Sequence, residues 1–207
     1  MQIKLTNTGK RFNREWIFRK LSFSFQGPGH YAITGSNGSG KSTLLQVVAG
    51  ATTFNEGQIE FEWEGKIIAQ DKTFQYISIA APYLELIEEM TATELLEFHR
   101  GLKKMTKDIP DALAQVQLQK AAHKQIRYFS SGMKQRLKLA QAFFSETPVL
   151  LLDEPSTNLD ADGIALYQHL IENYTQNRLV IISSNDPNEY KSCTEKIAIE
   201  QYKLVTN

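Results

Sequence analysis

Cysteine is almost missing from this sequence: Cys193 is the one thiol in 207 residues. A lone thiol closes no internal disulfide, which excludes a disulfide-stapled secreted scaffold and leads us to expect a reducing compartment. Neither sign of charge is in excess, with Lys plus Arg at 23 and Asp plus Glu at 23. A dedicated nucleic-acid binder usually carries a basic surplus, so no nucleic-acid partner is expected. Long hydrophobic runs are lacking too. Residues 149–152 and 179–182 are apolar but strand-sized, far short of the ~18 residues a membrane span needs. Residues 1–5 show no basic head followed by an apolar core, so no signal peptide is expected. Internal repeats and low-complexity runs are absent. The expectation is a soluble cytoplasmic chain. What is present is core material: 42% hydrophobic and 10% aromatic residues exclude disorder as the main state and suit one domain with an inserted lobe.

Ile3 and Leu5, then Leu21, Phe23 and Phe25, then Ile59, Phe61 and Trp63 recur with the period of two that marks half-buried strands. Gly27-Pro28-Gly29 signals a turn into the apolar run Tyr31-Ala32-Ile33. A helix is expected from about Gly40 through Leu44, Leu45, Val47 and Val48, with Gly50 capping its end. From about Pro82 to Phe129 the pattern turns helical. Thr91-Ala92-Thr93-Glu94 is a capping box, and Asp108-Ile109-Pro110 ends one helix and admits another. A helix after Ser131 carries Met133, Leu137, Ala140 and Phe144 on one side. Strands and helices then alternate: Val149–Asp153, a helix after Asp160, Leu179–Ser183, a short helix after Asp186-Pro187, and a strand at 196–199. That alternation predicts a mainly parallel sheet covered by helices, with the middle helical stretch as an insertion.

Gly35-Ser36-Asn37-Gly38-Ser39-Gly40-Lys41-Ser42 fits G-x-x-x-x-G-K-[ST] in full, after a strand and before a helix. Glycines let successive backbone N–H groups turn toward phosphate oxygens, and the helix points its positive end at the same anion. Lys41 is expected to reach the β- and γ-phosphates, Ser42 to ligate Mg²⁺, and Thr43 to add a hydroxyl at the α-phosphate. A Gly/Ser loop that binds nothing is the competing reading, and the flanking strand and helix weigh against it. The run Val149-Leu150-Leu151-Leu152 ends in Asp153-Glu154. Alone, this is an ordinary core strand with a solvated acidic end. Paired with the loop, it supplies Asp153 for Mg²⁺ and Glu154 to polarise an attacking water.

Phe129-Ser130-Ser131-Gly132-Met133-Lys134-Gln135-Arg136 resembles the signature motif of the ATP-binding-cassette (ABC) ATPases. It stands just before Asp153-Glu154-Pro155-Ser156-Thr157-Asn158-Leu159-Asp160, which resembles that family's Walker B motif and D-loop. The resemblance covers essentially the whole chain. It implies an α/β fold: a RecA-like P-loop NTPase core with an N-terminal antiparallel β subdomain and an inserted helical lobe. We place the core at 1–81 and 136–207 and the lobe at about 82–135. It further implies that Ser130 and Gly132 contact the γ-phosphate held by an opposite subunit, that Asp160 lies near the nucleotide, and that an early aromatic stacks on adenine. Phe12 matches that position best, with Trp16 as the alternative. Stacking discriminates little between bases, so ATP is expected and GTP is not excluded.

Two positions depart from the family pattern. Its junction Gln falls on Pro82, and its switch histidine falls on Asn185 in Ser183-Ser184-Asn185-Asp186. An Asn amide can donate a hydrogen bond to a γ-phosphate but cannot become cationic. His30, His99, His123 and His169 match no family position and are expected at the surface. The leading reading is the ATPase subunit of an ABC transporter. ATP and Mg²⁺ are its cofactors, and a separately encoded membrane permease is its partner. It would dimerise head to tail, as a homodimer or a heterodimer. A hydrolysis-poor regulatory cassette and a soluble non-transport cassette are the alternatives.

Overall fold

The computed structural model describes residues 1–203, and the strand-forming residues within them divide between two sheets. β1 (Gln2–Phe12) and β2 (Glu15–Gln26) make a long antiparallel hairpin. β3 (Gly29–Thr34) leaves for the second sheet and leads into α1 (Lys41–Val48). Gly50, at φ +71°, follows that helix, where its N–H bonds the Val47 carbonyl. β4 (Glu56–Trp63) and β5 (Lys66–Ile68) return to the first sheet, whose order is β2-β1-β4-β5. In register, Ile3 faces Phe25 and Phe61, and all three are buried, so the period-two pattern does mark the inner face.

β6 (Ile77–Ala80) precedes the helices α2 (Ala92–Leu102), α3 (Ile109–Gln115) and α4 (Ser131–Phe143). After them come β7 (Val149–Asp153), α5 (Ala161–Tyr174), β8 (Leu179–Ser183) and β9 (Glu195–Ala198). The second sheet is parallel throughout, in the order β6-β7-β8-β3-β9. Its two faces go to two cores. Leu150, Leu152, Val180 and Ile182 pack with residues of α2 to α5. Val149, Leu151, Leu179 and Ile181 pack with α1 and the antiparallel sheet. A central strand covered on both sides reads as a continuous apolar run, which is why 149–152 shows no alternation.

The capping box is present: Thr91 Oγ1 accepts from the Glu94 N–H at 3.2 Å, and the Thr91 N–H donates to Glu94 Oε2 at 2.8 Å. Asp108 caps α3 by a single bond, its Oδ1 accepting from the Asp111 N–H at 2.9 Å.

Three expectations need correction. Residues 82–91 are not helical. Their carbonyls at Glu88 and Met90 accept instead from the N–H groups of Arg127 and Ile126, so the segment is held by a distant strip of chain. No helix follows Pro187, where Asp186 Oδ1 accepts from the Asn188 N–H at 2.8 Å and the chain turns. The last strand ends at Ala198, and Ile199–Tyr202 forms a 3₁₀ turn. Residues 204–207 lie outside the described residues. Among the described residues, no helix is long and apolar enough to cross a membrane.

Candidate active site

Ile33 of β3 pairs with Ser183 of β8, and Ser183 pairs with Asp153 of β7. The carboxyl ends of three neighbouring strands therefore form one row, with about 4.8 Å between strands. Open α/β sheets gather ligands at this edge, and the loop 35–42 rises from it.

The loop's shape depends on its glycines. Gly35 (φ +151°) leaves no room for a Cβ, which would lie 2.6 Å from Ser39 Oγ. Gly40 (φ +108°) is tighter, because a Cβ there would meet Ile17 Cγ2 at 2.3 Å. Ile17 of β2 thus presses the hairpin onto the loop, a contact that no motif announces. Lys41 is 4% exposed, and its Nζ donates to the carbonyls of Gly35 (3.1 Å) and Ser36 (3.2 Å). Ser39 Oγ is buried without a hydrogen-bond partner among the described residues. Ser42 and Thr43 open α1, where unpaired N–H groups favour an anion.

Asp153 is 1% exposed, and its Oδ1 finds no hydrogen-bond donor among the described residues. Ser183 Oγ, beside it in the row, is also unpaired. Glu154 adopts φ +42°, unusual for a residue with a Cβ, while its N–H bonds the Ser183 carbonyl at 2.8 Å. Tyr83 lies in the same neighbourhood. Its phenol, still 43% exposed, is pushed up to about 12, first by its partial burial and then by the negative charge of Asp153, with the neighbouring Gln46 side chain of α1 opposing the shift. Pro82 sits one residue earlier, in a turn whose carbonyl accepts from Lys138 Nζ at 3.0 Å. Glu85 turns to a cavity shared with His99, Lys103 and Lys138. Among the described residues, no three His, Cys, Asp or Glu side chains gather to hold a metal ion. A buried, unpaired carboxylate oxygen near a serine hydroxyl instead suits Mg²⁺, which takes one or two protein oxygens and completes its shell with phosphate and water.

Ser130 is exposed and caps α4, accepting from the Met133 N–H at 3.2 Å. Gly132 lies close under the D-loop, where an added Cβ would be 3.0 Å from the Asn158 carbonyl oxygen. Gln135 Nε2 donates to the Pro155 carbonyl at 2.8 Å, tying the signature helix to the turn after Glu154. No hydrogen bond among the described residues joins Ser130 or Gly132 to the loop of Lys41. Asp160 is engaged within its own chain. It caps α5 through the Gly163 N–H (2.8 Å) and pairs with Arg136 (3.0 Å), and the Gly163 bond is the main reason its carboxyl lies below the usual range.

Asn185 reaches the phosphate loop, its Nδ2 donating to Asn37 Oδ1 at 2.9 Å. Phe12 is half exposed at the tip of the hairpin, with Lys10 Nζ 4.7 Å from its ring centroid. Trp16 carries the guanidinium groups of Arg19 (4.5 Å) and Arg11 (5.5 Å) over its ring. His123 and His169 are exposed as expected, but His30 and His99 are partly buried, bonded to Thr175 and Ser145. Besides Ile17, motif reading passed over Tyr83, Glu189 and Glu200. Glu189 accepts from the Ser156 N–H at 2.7 Å, linking the D-loop to the segment after Asn185.

Residues 18–157 match the ABC transporter family. Over 202 residues the chain is 30% identical to the uncharacterized ABC transporter ATP-binding protein YybJ of Bacillus subtilis, spanning 96% of this chain and 91% of that one. It is 35% identical over 161 residues to the cytochrome c biogenesis ATP-binding export protein CcmA of Xanthomonas oryzae pv. oryzae, with 77% and 74% covered. A solved ATP-binding subunit of an ABC transporter superposes with a TM-score of 0.84 at 21% identity, covering 96% of this chain and 86% of that one.

Proposed function

The chain belongs to the ABC transporter family as an ATP-binding subunit, and from that premise we propose that it hydrolyses ATP to drive a separately encoded membrane permease. The observation that carries this reading is the presence, at one sheet edge, of two charged groups with no salt-bridge partner among the described residues. Lys41 has only carbonyls as partners, and Asp153 Oδ1 has no donor at all among the described residues. A magnesium nucleotide answers both.

In this reading Lys41 leaves its carbonyls for the β- and γ-phosphates. The N–H groups at the start of α1 hold the same oxygens, and an aromatic of the hairpin, Phe12 or Trp16, faces the base. Ser42 and Asp153 would hold Mg²⁺, which supplies neutralisation of phosphate charge. Glu154 orients a water whose oxygen attacks the γ-phosphorus while the bond to the β-phosphate oxygen breaks, giving ADP, inorganic phosphate and a proton released to solvent. Asn185 donates to the γ-phosphate. Positioning and charge stabilisation do most of the work in such a transfer.

Ser130 and Gly132 are exposed or half-exposed and unlinked to their own loop, which supports a head-to-tail dimer in which each signature meets the partner's nucleotide. The lobe at about 82–135 carries exposed Phe98 and Leu102 on α2, and we assign that face to the permease. The subunit would then sit at the cytoplasmic face of the membrane through its partner.

The test is sedimentation and calorimetry with saturating ATP. Glu154→Gln is expected to keep ATP, lose turnover and dimerise, whereas Lys41→Ala loses ATP. Equal loss of binding in both variants would overturn the role of Glu154. A Glu154→Gln protein that binds ATP yet stays monomeric would replace the homodimer with a heterodimer.

A further inference from the structure

The peptide unit between Gly35 and Ser36 is bonded at both ends to charged side chains. Its carbonyl accepts from Lys41 Nζ at 3.1 Å, and its N–H donates to Glu200 Oε1 at 2.9 Å. The Ser36 hydroxyl donates to the same carboxylate oxygen at 2.7 Å. A cation at the oxygen end and an anion at the N–H end polarise this peptide in its own dipole direction, so each bond strengthens the other. The carboxylate itself is exposed, but the turn that carries it is fixed from behind. Ile199 is fully buried, and its Cγ2 would lie 2.8 Å from a Cβ on Gly35, so the 3₁₀ turn is seated against the loop.

From this arrangement we propose that Glu200 is a positioning residue that holds Lys41 on the Gly35 carbonyl, and so sets the affinity of the loop for polyphosphate. The inference rests on the reading of this loop as the nucleotide site. An incoming triphosphate must draw Lys41 off a carbonyl that Glu200 has made a better acceptor. It also brings negative charge toward a carboxylate already in place. Both effects oppose binding, and neutralising the carboxylate weakens the first and removes the second. Glu200 is anionic at neutral pH as any exposed carboxyl is, and the N–H and then the hydroxyl of Ser36 lower its carboxyl further, with Lys203 and then Lys41 adding to the effect.

The experiment is titration calorimetry of the full chain with ATP in chelator, with Mg-ATP, and with inorganic triphosphate. Glu200→Gln keeps an acceptor for Ser36 and removes the charge, while Glu200→Ala removes both. Glu172→Gln neutralises an exposed acid on α5 as a control, and thermal unfolding checks that each variant is folded. Glu200→Gln is expected to bind all three probes about three- to tenfold tighter, with the gain shrinking as salt is raised. In turnover the gain should appear as a lower KM. A merely structural strap would leave Glu200→Gln unchanged and weaken Glu200→Ala, and that result overturns the proposal. Unchanged or weaker binding by Glu200→Gln while Lys41→Ala loses ATP sinks the role of Glu200 alone. Wild-type protein that binds no nucleotide, or Lys41→Ala that binds as well as wild type, sinks the nucleotide site and this proposal together.

Discussion

Asn185 Nδ2 donates to Asn37 Oδ1 at 2.9 Å, joining the second residue after β8 to the tip of the phosphate loop. The bond sets a neutral donor at the mouth of the loop, at the position where the family resemblance implies an imidazole. A γ-phosphate arriving there would accept from the second N–H of that amide or displace Asn37 from the first.

Turnover should therefore persist in the wild type with little dependence on a group titrating near pH 6.5, the reference value for histidine. Asn185→His is expected to introduce that dependence and raise the rate. Asn185→Ala should lower the rate by about a hundredfold, the usual cost of one lost donor at a developing charge. Steady-state rates between pH 5.5 and 8.5 decide the matter. An Asn185→Ala variant at wild-type rate would make the residue a bystander. Wild type and Asn185→His both inactive would favour a regulatory cassette.

Arg178 is a buried cation with no carboxylate beside it among the described residues. Its Nη2 donates to Ser78 Oγ (2.6 Å) and Thr147 Oγ1 (2.7 Å), and Nη1 donates to the Phe143 carbonyl at 2.9 Å. That carbonyl ends α4, so the guanidinium closes the negative end of the helix whose other end carries Ser130. Burial lowers its pKa to about 10, which still leaves it charged at neutral pH. Arg178→Met should cost about 3 kcal/mol, because several buried acceptors lose their donor at once. Arg178→Lys should fall between, since one ammonium cannot span the same acceptors. Urea midpoints measure both. A loss below about 1 kcal/mol for Arg178→Met would mean that water or repacking satisfies those groups.

The parts of the site legible in the sequence are those written in a few consecutive residues. The glycine spacing around Lys41, the Thr91–Glu94 box and the apolar run ending at Asp153 all impose their geometry locally. Tyr83, Ile17 and Glu200 reach the site only because β6, β2 and the turn after β9 fold over the sheet edge, and no local pattern encodes that. The same physics explains the segment 82–91. Its carbonyls find donors at residues 126 and 127, so long-range pairing overrides the helical texture of its neighbours. The turn after Pro187 was within reach of the sequence, since Ser184 and Asp186 both offer side-chain acceptors to nearby N–H groups.

Stability should fall on mild acidification, and two histidines set the sign. Burial lowers the pKa of His99, with nearby Lys103 adding to the effect, and burial likewise lowers His30 against a smaller opposing contribution from Thr175. The Ser145 hydroxyl donates to the Gln141 carbonyl at 2.6 Å, so it accepts from His99 Nε2, and a neutral ring satisfies the pair. The remaining charged groups of that cavity are Lys103, Lys138 and Glu85, a net positive surrounding that resists a further proton. As pH drops through 6.5, the unfolded chain takes up protons that the folded chain still refuses, so stability declines from there down to the folded pKa values. The carboxylates of Glu94 and Asp160 act later. Their pKa values are lowered by hydrogen bonds from Thr91 and Gly163, so their contribution is lost only as pH falls through the ordinary carboxylate range and below. Urea midpoints at pH 7.5, 6.5 and 5.5 should therefore descend for wild type. His99→Gln keeps a donor for Ser145 without titrating, so its midpoints should descend less steeply. Parallel slopes for the two proteins would remove His99 from the account and leave His30 to carry the effect.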